Sequence, residues 1–378
     1  MIKHYLKVAF RNLAKYKTQT LVSIIGLAVG FTCFALSVLW IRYEMTYDTF
    51  HEGADRIYMV RAHYTDSPGS ISNSTPYPLS SYLQEKMPEI EAAASTSIYR
   101  EMKFRMGDNE EVVMATADSV FMNFFNIQLL KGTVNFLKEN DPEIAITEEF
   151  ARKLFGNEED ALGKEVELNG RSRKIGAIVS GWSRHSNIPY SVLSSARRYP
   201  RWSSKGEQLF IRVRAGVDRD TFQKKMEDID ILDIPKESEL VKLLITPISA
   251  LRYSDYVSKV EVVISFSYIF YFSLAGGLVI ICSLFNYLTL YISRLCMRSS
   301  EMALRKVNGA SNTSLSVQFA IELLLILCIA LLCGLLMIEV SMSSFLNFTQ
   351  IEASVYYGEI IAYLLIVIIL SFLFAQIP

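Results

Sequence analysis

The side chains best suited to chemistry are few, and they do not converge. Of the four His in the chain, His51, His63 and His185 stand far apart, with no HExxH pair or other close spacing that would hold a metal. The five Cys are Cys33, Cys282, Cys296, Cys328 and Cys333. Their spacings match no zinc pattern, and all lie in or beside apolar runs, where Cys serves as a small apolar side chain. No GxSxG turn is present to present a nucleophilic serine. No GxxxxGK followed by Ser or Thr is present either, so the chain does not bind ATP by a phosphate-cradling loop. Carboxylates are plentiful but scattered, as on a solvated face. One basic run, Arg171, Arg173 and Lys174 followed by Arg197, Arg198 and Arg201, has the charge to hold an anion. A solvent-facing, partner-neutral surface explains the same residues more simply. No catalytic constellation, metal or cofactor is expected.

The elements around these residues are those of a membrane protein. Mean hydropathy is +0.24, high for a soluble chain. Residues Thr18 to Ile41 carry no charged side chain and exceed the roughly 20 residues that cross a bilayer. A secretory signal peptide competes for this stretch, with Ala35-Leu36-Ser37 as a loose cleavage site. The apolar run is longer than a typical signal core, and more spans follow. Val262 to Ser293 is a second charge-free run, Leu323 to Ile338 a third, and Ile360 to Pro378 a fourth. Basic residues orient them. The first 17 residues carry Lys3, Lys7, Arg11, Lys15 and Lys17 and no acid; the link at 294–312 carries Arg294, Arg298, Arg305 and Lys306 against Glu301 alone. The connection at 339–359 carries Glu339, Glu352 and Glu359 and no base. An N-terminus inside and a large domain outside satisfies every segment.

The expected fold is therefore a membrane protein with four transmembrane α-helices and a large α+β extracytoplasmic domain between helices 1 and 2. Its divisions are a cytoplasmic amphipathic helix (1–17), span one (18–42), the extracytoplasmic domain (43–261) and span two (262–293). A cytoplasmic loop with a short helix (294–315), span three (316–340), a short outer loop (341–359) and span four (360–378) complete it. In residues 1–17, Ile2, Leu6, Ala9, Phe10 and Leu13 follow helical spacing while Lys3, Lys7, Arg11 and Lys15 line another face. Such a helix lies along the inner membrane surface, with lipid as its partner. Glu322, near the inner end of span three, is either a functional intramembrane acid or an interfacial Glu that reaches headgroups or a nearby base.

Within 43–261, residues 78–87 read as a short helix stopped by Pro88, and Glu143 to Ile146 as a strand. Thr147 caps a helix that opens with Glu148 and Glu149 and ends at Gly156. Glu165 to Leu168 and Lys174 to Val179 read as strands, with the Asn169-Gly170 hairpin-type turn in the link between them and the register across that link left open. In the inner loop, Glu301 and Arg305 are spaced i,i+4 and pair on one helical face, and Asn308-Gly309 stops that helix. Without further information the loop reads equally as a solvated segment that only fixes topology.

The layout and three local patterns resemble the MacB/FtsX/LolC-type permeases of ABC transporters. Phe10 to Gly30 is similar to the family's entry into its first span. Leu154-Phe155-Gly156 followed by Leu162-Gly163-Lys164 is similar to its periplasmic core domain. Arg298, Glu301, Arg305, Gly309-Ala310, Gln318-Phe319 and Glu322 are similar to its loop after the second span. The resemblance implies a non-enzymatic subunit of a bacterial inner membrane transporter, a homodimer or pseudodimer served by a separate cytoplasmic ABC ATPase, with a possible periplasmic or outer-membrane partner and no nucleic acid. Arg298, Glu301, Arg305, Lys306, Gly309 and Ala310 would form the coupling helix, a lever that the ATPase pushes. Two other functions share the layout: an FtsX-like regulator of a periplasmic cell-wall hydrolase, and a membrane sensor with an outer receptor domain. The sequence ends at Pro378 beside the fourth span, which fits either a whole permease or the first half of a two-module one.

Overall fold

The computed structural model describes residues 2–106, 109–139, 141–157, 159–182, 185–196, 199–229, 234–253, 266–297, 303–304, 306–307, 312–349 and 357–375. The chain divides into two compact units, Met1–Glu44 with Phe266–Pro378, and Met45–Ser265.

The first unit is helical. It contains α1 (Ile2–Lys15), α2 (Lys17–Met45), α7 (Phe266–Met297), α8 (Asn312–Thr349) and α9 (Tyr357–Ala375). Among the described residues three helices are long and apolar enough to cross a membrane: Lys17–Met45, Ser267–Ser293 and Val317–Thr349. The expected fourth span, 360–378, falls on α9, which is not among these three, and 376–378 lie outside the described residues. α8 runs well past the expected end of span three at 340.

Leu27, Phe31, Ala35 and Leu39 recur every fourth residue on α2 and form the stripe around which the other helices pack. Small residues set the spacing between α2 and α7. A Cβ on Gly30 would strike the Ser283 side chain, and one on Gly276 would lie 2.7 Å from Ser37 Cβ. In lipid, such small residues let backbones approach and dispersion contacts form. On its other side α2 meets α8, where Thr32 Oγ1 donates to Ala28 O (2.8 Å) and also to Gly334 O (3.2 Å).

The second unit is α+β and holds two lobes. Lobe one is a five-stranded sheet of β1 (Ile57–Tyr64), β2 (Thr75–Pro76), β3 (Ile90–Thr96), β11 (Lys205–Val213) and β12 (Leu240–Pro247). Its central pairs are antiparallel, with Ile57 opposite Arg212 and Met59 opposite Thr246. Helices α3 (Leu79–Lys86) and α6 (Arg219–Glu227) cover one face through Leu79, Leu83, Phe222 and Met226.

Lobe two is made by the strands between β3 and β11. They are β4 (Ile98–Arg105), β5 (Asn109–Ala117), β6 (Leu129–Gly132), β7 (Glu143–Thr147), β8 (Glu165–Leu168), β9 (Arg171–Val179) and β10 (Val192–Ser195). Their order is β6-β9-β7-β10-β5-β4-β8, and β8 also pairs with β9, so the sheet closes on itself as a small barrel. Closure removes the free edges of the strands involved. Phe104, Val112, Ile144, Ile146, Val166, Leu168, Ile175 and Val192 fill its interior. The opposite faces of the same strands, with Ala115, Ala117, Ala145, Ala177 and Leu193, pack against Ile57, Met59 and Phe210 of lobe one and Phe121 of α4 (Ser119–Phe124). The two lobes thus share a core.

Local chemistry explains several elements. Thr147 Oγ1 accepts from Phe150 N (3.3 Å) to cap α5 (Glu148–Phe155), and Gly156 ends it in the left-handed region at φ 73°. β9 begins at Arg171 rather than Lys174, so Asn169-Gly170 is the whole turn, with φ of 48° and 79°. Positive φ at both positions is the two-residue hairpin turn whose twist matches its strands, which fixes the register that the sequence left open.

Candidate functional site

The residues just after α2 hold a buried polar network. α2 ends at Met45, and Asp48 follows three residues later with φ 56°. Asp tolerates the left-handed region because its short polar side chain bonds locally. Asp48 is fully buried, and its carboxylate collects donors. Ser186 Oγ donates to Oδ1; Asn187 N (2.9 Å) and Asn187 Nδ2 (2.6 Å) both donate to Oδ2. His51 Nε2 lies 3.4 Å from Oδ1. The backbone joins in, with Asp48 N donating to His185 O at 3.4 Å. Asn187 Nδ2 also reaches Ile248 O (3.4 Å), just after β12, and Ser186 Oγ accepts from Ile188 N (3.0 Å). An ionised carboxylate accepts at both oxygens, which is why one buried acid can gather these groups from distant parts of the chain.

Aromatic rings seal the network. His51 stands edge-on to Trp182 at 4.8 Å between centroids and 5.1 Å from Phe125. Trp182 Nε1 donates to Ile188 O (2.9 Å), and its ring meets Tyr190 at 4.6 Å. Tyr190 hydroxyl donates to Ser180 O (2.7 Å), and burial pushes its phenol pKa up. Tyr47 packs edge-on to His185 at 4.4 Å. His51 and His185, isolated in the sequence, therefore belong to one knot. Among the described residues no group of three His, Cys, Asp or Glu side chains is placed to hold a metal. The only local signal was the i,i+3 spacing of Asp48 and His51; the partners at 185–188 and 248 are too distant in sequence to show one.

The inner end of the helical unit holds the residues singled out for membrane contact and coupling. Lys7, Arg11, Lys15 and Lys17 are exposed, and Lys3 lies in α1. The opposite face of α1 does not lie free. Ala9 and Leu13 are buried, and α1 packs along α8. Glu322 of α8 is buried and accepts from Asn12 Nδ2 at 3.4 Å. Its carboxylate thus meets a neighbouring helix. Of the coupling residues, Lys306 is exposed in a helical segment beside Val307; Arg298, Glu301, Arg305, Gly309 and Ala310 lie outside the described residues.

Residues 20–229 match the MacB-like periplasmic core domain, and residues 244–378 match the FtsX-like permease C-terminal domain. The chain belongs to the MacB/FtsX-type permease family of ABC transporters.

Among solved structures, a domain of a permease protein from Porphyromonas gingivalis is 22% identical with a TM-score of 0.44, covering 56% of this chain and 96% of that one. The extracellular domain of the noncanonic ABC-type transporter YknZ from Gram-positive bacteria is 12% identical with a TM-score of 0.37, covering 50% and 99%. The periplasmic region of MacB from Actinobacillus actinomycetemcomitans is also 12% identical with a TM-score of 0.37, covering 53% and 92%. No curated protein matches the chain.

Proposed function

We propose that the chain is a permease subunit that transmits ATP-driven motion from a separate cytoplasmic ATPase to its extracytoplasmic domain, so that a substrate is exported or extruded. The observation that carries this reading is the match of both the outer domain and the membrane helices to one permease family. The outer domain that follows α2 opens with the buried, multiply bonded Asp48. In this reading the N-terminus and the 294–315 loop are cytoplasmic, four spans cross the bacterial inner membrane, and the subunit works as a homodimer or pseudodimer. A periplasmic or outer-membrane partner completes the path. Arg298, Glu301, Arg305, Lys306, Gly309 and Ala310 receive the push from the ATPase. Lys3, Lys7, Arg11, Lys15 and Lys17 hold α1 at the lipid surface, and Glu322 holds it to α8.

The test is reconstitution of the chain with its ATPase. Charge reversal by Glu301→Lys with Arg305→Glu should lower complex formation and ATP turnover together. If both stayed intact, the coupling role would be wrong. The match to an FtsX-like domain also favours a second reading, a regulator of a periplasmic cell-wall hydrolase. Capture of such a hydrolase by the outer domain, with no transport by the reconstituted complex, would establish it instead.

A further inference from the structure

α5 follows β7 directly, and its Phe150 and Ala151 pack into the barrel core at that end. The starts of β7 and β9 and the ends of β5 and β10 lie at the other end, where a cavity of about 400 Å³ opens. That volume falls within the roughly 300–1,000 Å³ of small-molecule sites, and barrel mouths are among the places where such sites occur.

The groups around the mouth have a definite chemistry. Arg171 and Arg173 alternate along β9 and sit opposite Leu168 and Val166, two residues of the barrel interior, so both start on the inward face. Neither guanidinium is paired with a carboxylate among the described residues; Arg173 Nη1 donates only to the backbone oxygen of Asp141 (3.2 Å). Ser194, Ser195 and Ser204 bring hydroxyls to the wall, and their oxygens bond no other described group. Tyr99 and Tyr199 stand at the rim with about half of their surface open, 46% and 55%.

Each element selects a feature of the ligand. Two guanidinium groups in one cavity select a carboxylate or phosphate oxygen pair. Hydroxyls, which both donate and accept, match ligand hydroxyls. Open tyrosine rings offer flat apolar faces with a polar tip, which suit the C–H face of a sugar ring. Asp141 also lines the mouth and repels a bare polyanion while accepting from a ligand hydroxyl. The geometry points to a binding site for an acidic saccharide, a single sugar ring or short oligomer that bears a carboxylate. This site does not depend on the transport reading.

The test uses the purified chain in detergent micelles, titrated with glucuronate, glucose and inorganic phosphate by calorimetry. Glucuronate should bind saturably, with glucose and phosphate each at least about tenfold weaker. Arg171→Gln combined with Arg173→Gln should weaken glucuronate by about tenfold or more without lowering the melting temperature, and Tyr199→Ala, at the exposed rim, should weaken it independently. Absence of saturable glucuronate binding would overturn the proposal. So would phosphate binding as tightly as glucuronate, or glucuronate binding unchanged in both variants.

Discussion

The Asp48→Ala substitution tests whether the exit of α2 is as firmly anchored as its hydrogen bonds imply. Three donors lose their acceptor: Ser186 Oγ, Asn187 N and Asn187 Nδ2. Hydrogen bonds to a charged group contribute about 1.5–3 kcal/mol each, but the three do not lose equally. The hydroxyl can rotate, and the Asn187 amide keeps Ile248 O at 3.4 Å, whereas the backbone N–H of Asn187 has nowhere to turn. One full loss and two partial ones come to about 3 kcal/mol. Alanine at φ 56° adds about 1 kcal/mol of backbone strain. The total, about 4 kcal/mol, should lower the melting temperature of a domain of this size by about 8–16 °C, at about 2–4 °C per kcal/mol. Tryptophan fluorescence of the purified chain reads this directly, because Trp182 lies against His51. Asp48→Asn keeps one acceptor oxygen and tolerates positive φ, so it should lose about half as much. If Asp48→Ala melted within about 2 °C of the parent, or Asp48→Asn fell further than Asp48→Ala, the anchoring argument would be refuted.

Two further outcomes follow from other parts of the molecule. Gly30→Leu should force α2 and α7 apart at Ser283 and destabilise the detergent-solubilised chain by about 1–3 kcal/mol, and Ser283→Gly in the same chain should restore part of that loss; equal melting of Gly30→Leu and the parent would show that the helices do not touch there. The outer domain should lose stability at both extremes of pH. Hydrogen bonds from Lys205 to Asp66, from Lys225 to Glu89, from the Thr221 backbone N–H to Asp218 and from Lys242 to Glu227 hold those carboxylates below their usual range. Their contribution is complete above the unfolded values of about 4 and is lost as pH falls through the depressed folded ones. Burial raises the phenols of Tyr64 and Tyr190, so their contribution is present below about pH 10 and lost as pH rises beyond it. A melting temperature that stays flat from about pH 3 to 11 would contradict both halves.

What the sequence revealed was local. Thr147 and Gly156 bound α5 because a hydroxyl cap and a left-handed terminus are decided by neighbouring atoms. The apolar runs marked the membrane helices because lipid demands length and hydropathy and little else. What stayed hidden needed partners far along the chain. Asp48 looked like one acid among many until Ser186 and Asn187 folded onto it. The amphipathic face of α1 was legible, but not what covers it: Ala9 and Leu13 go to α8 while Leu6 and Phe10 remain exposed, and one periodicity serves both environments. Arg171 and Arg173 stood in a basic run that read most simply as solvated surface, and only the Asn169-Gly170 turn and the closure of β8 onto β9 turn them into the mouth of a barrel.

The placement of lobe two inside lobe one has a kinetic consequence. All strands of the barrel lie between β3 and β11, so they can pair as soon as that stretch of chain exists. β1 cannot: its partners on both sides, β11 and β12, come later than the whole barrel. Closing so long a loop in a disordered chain is slow and entropically unfavourable. A barrel already folded brings its two ends together, at Ser97 and at the segment before Lys205, and so delivers β3 to β11 as near neighbours. The outer sheet can therefore be completed only when nearly the last strand of the domain has been made, and a barrel folded first would shorten the loop that β3 and β11 must close.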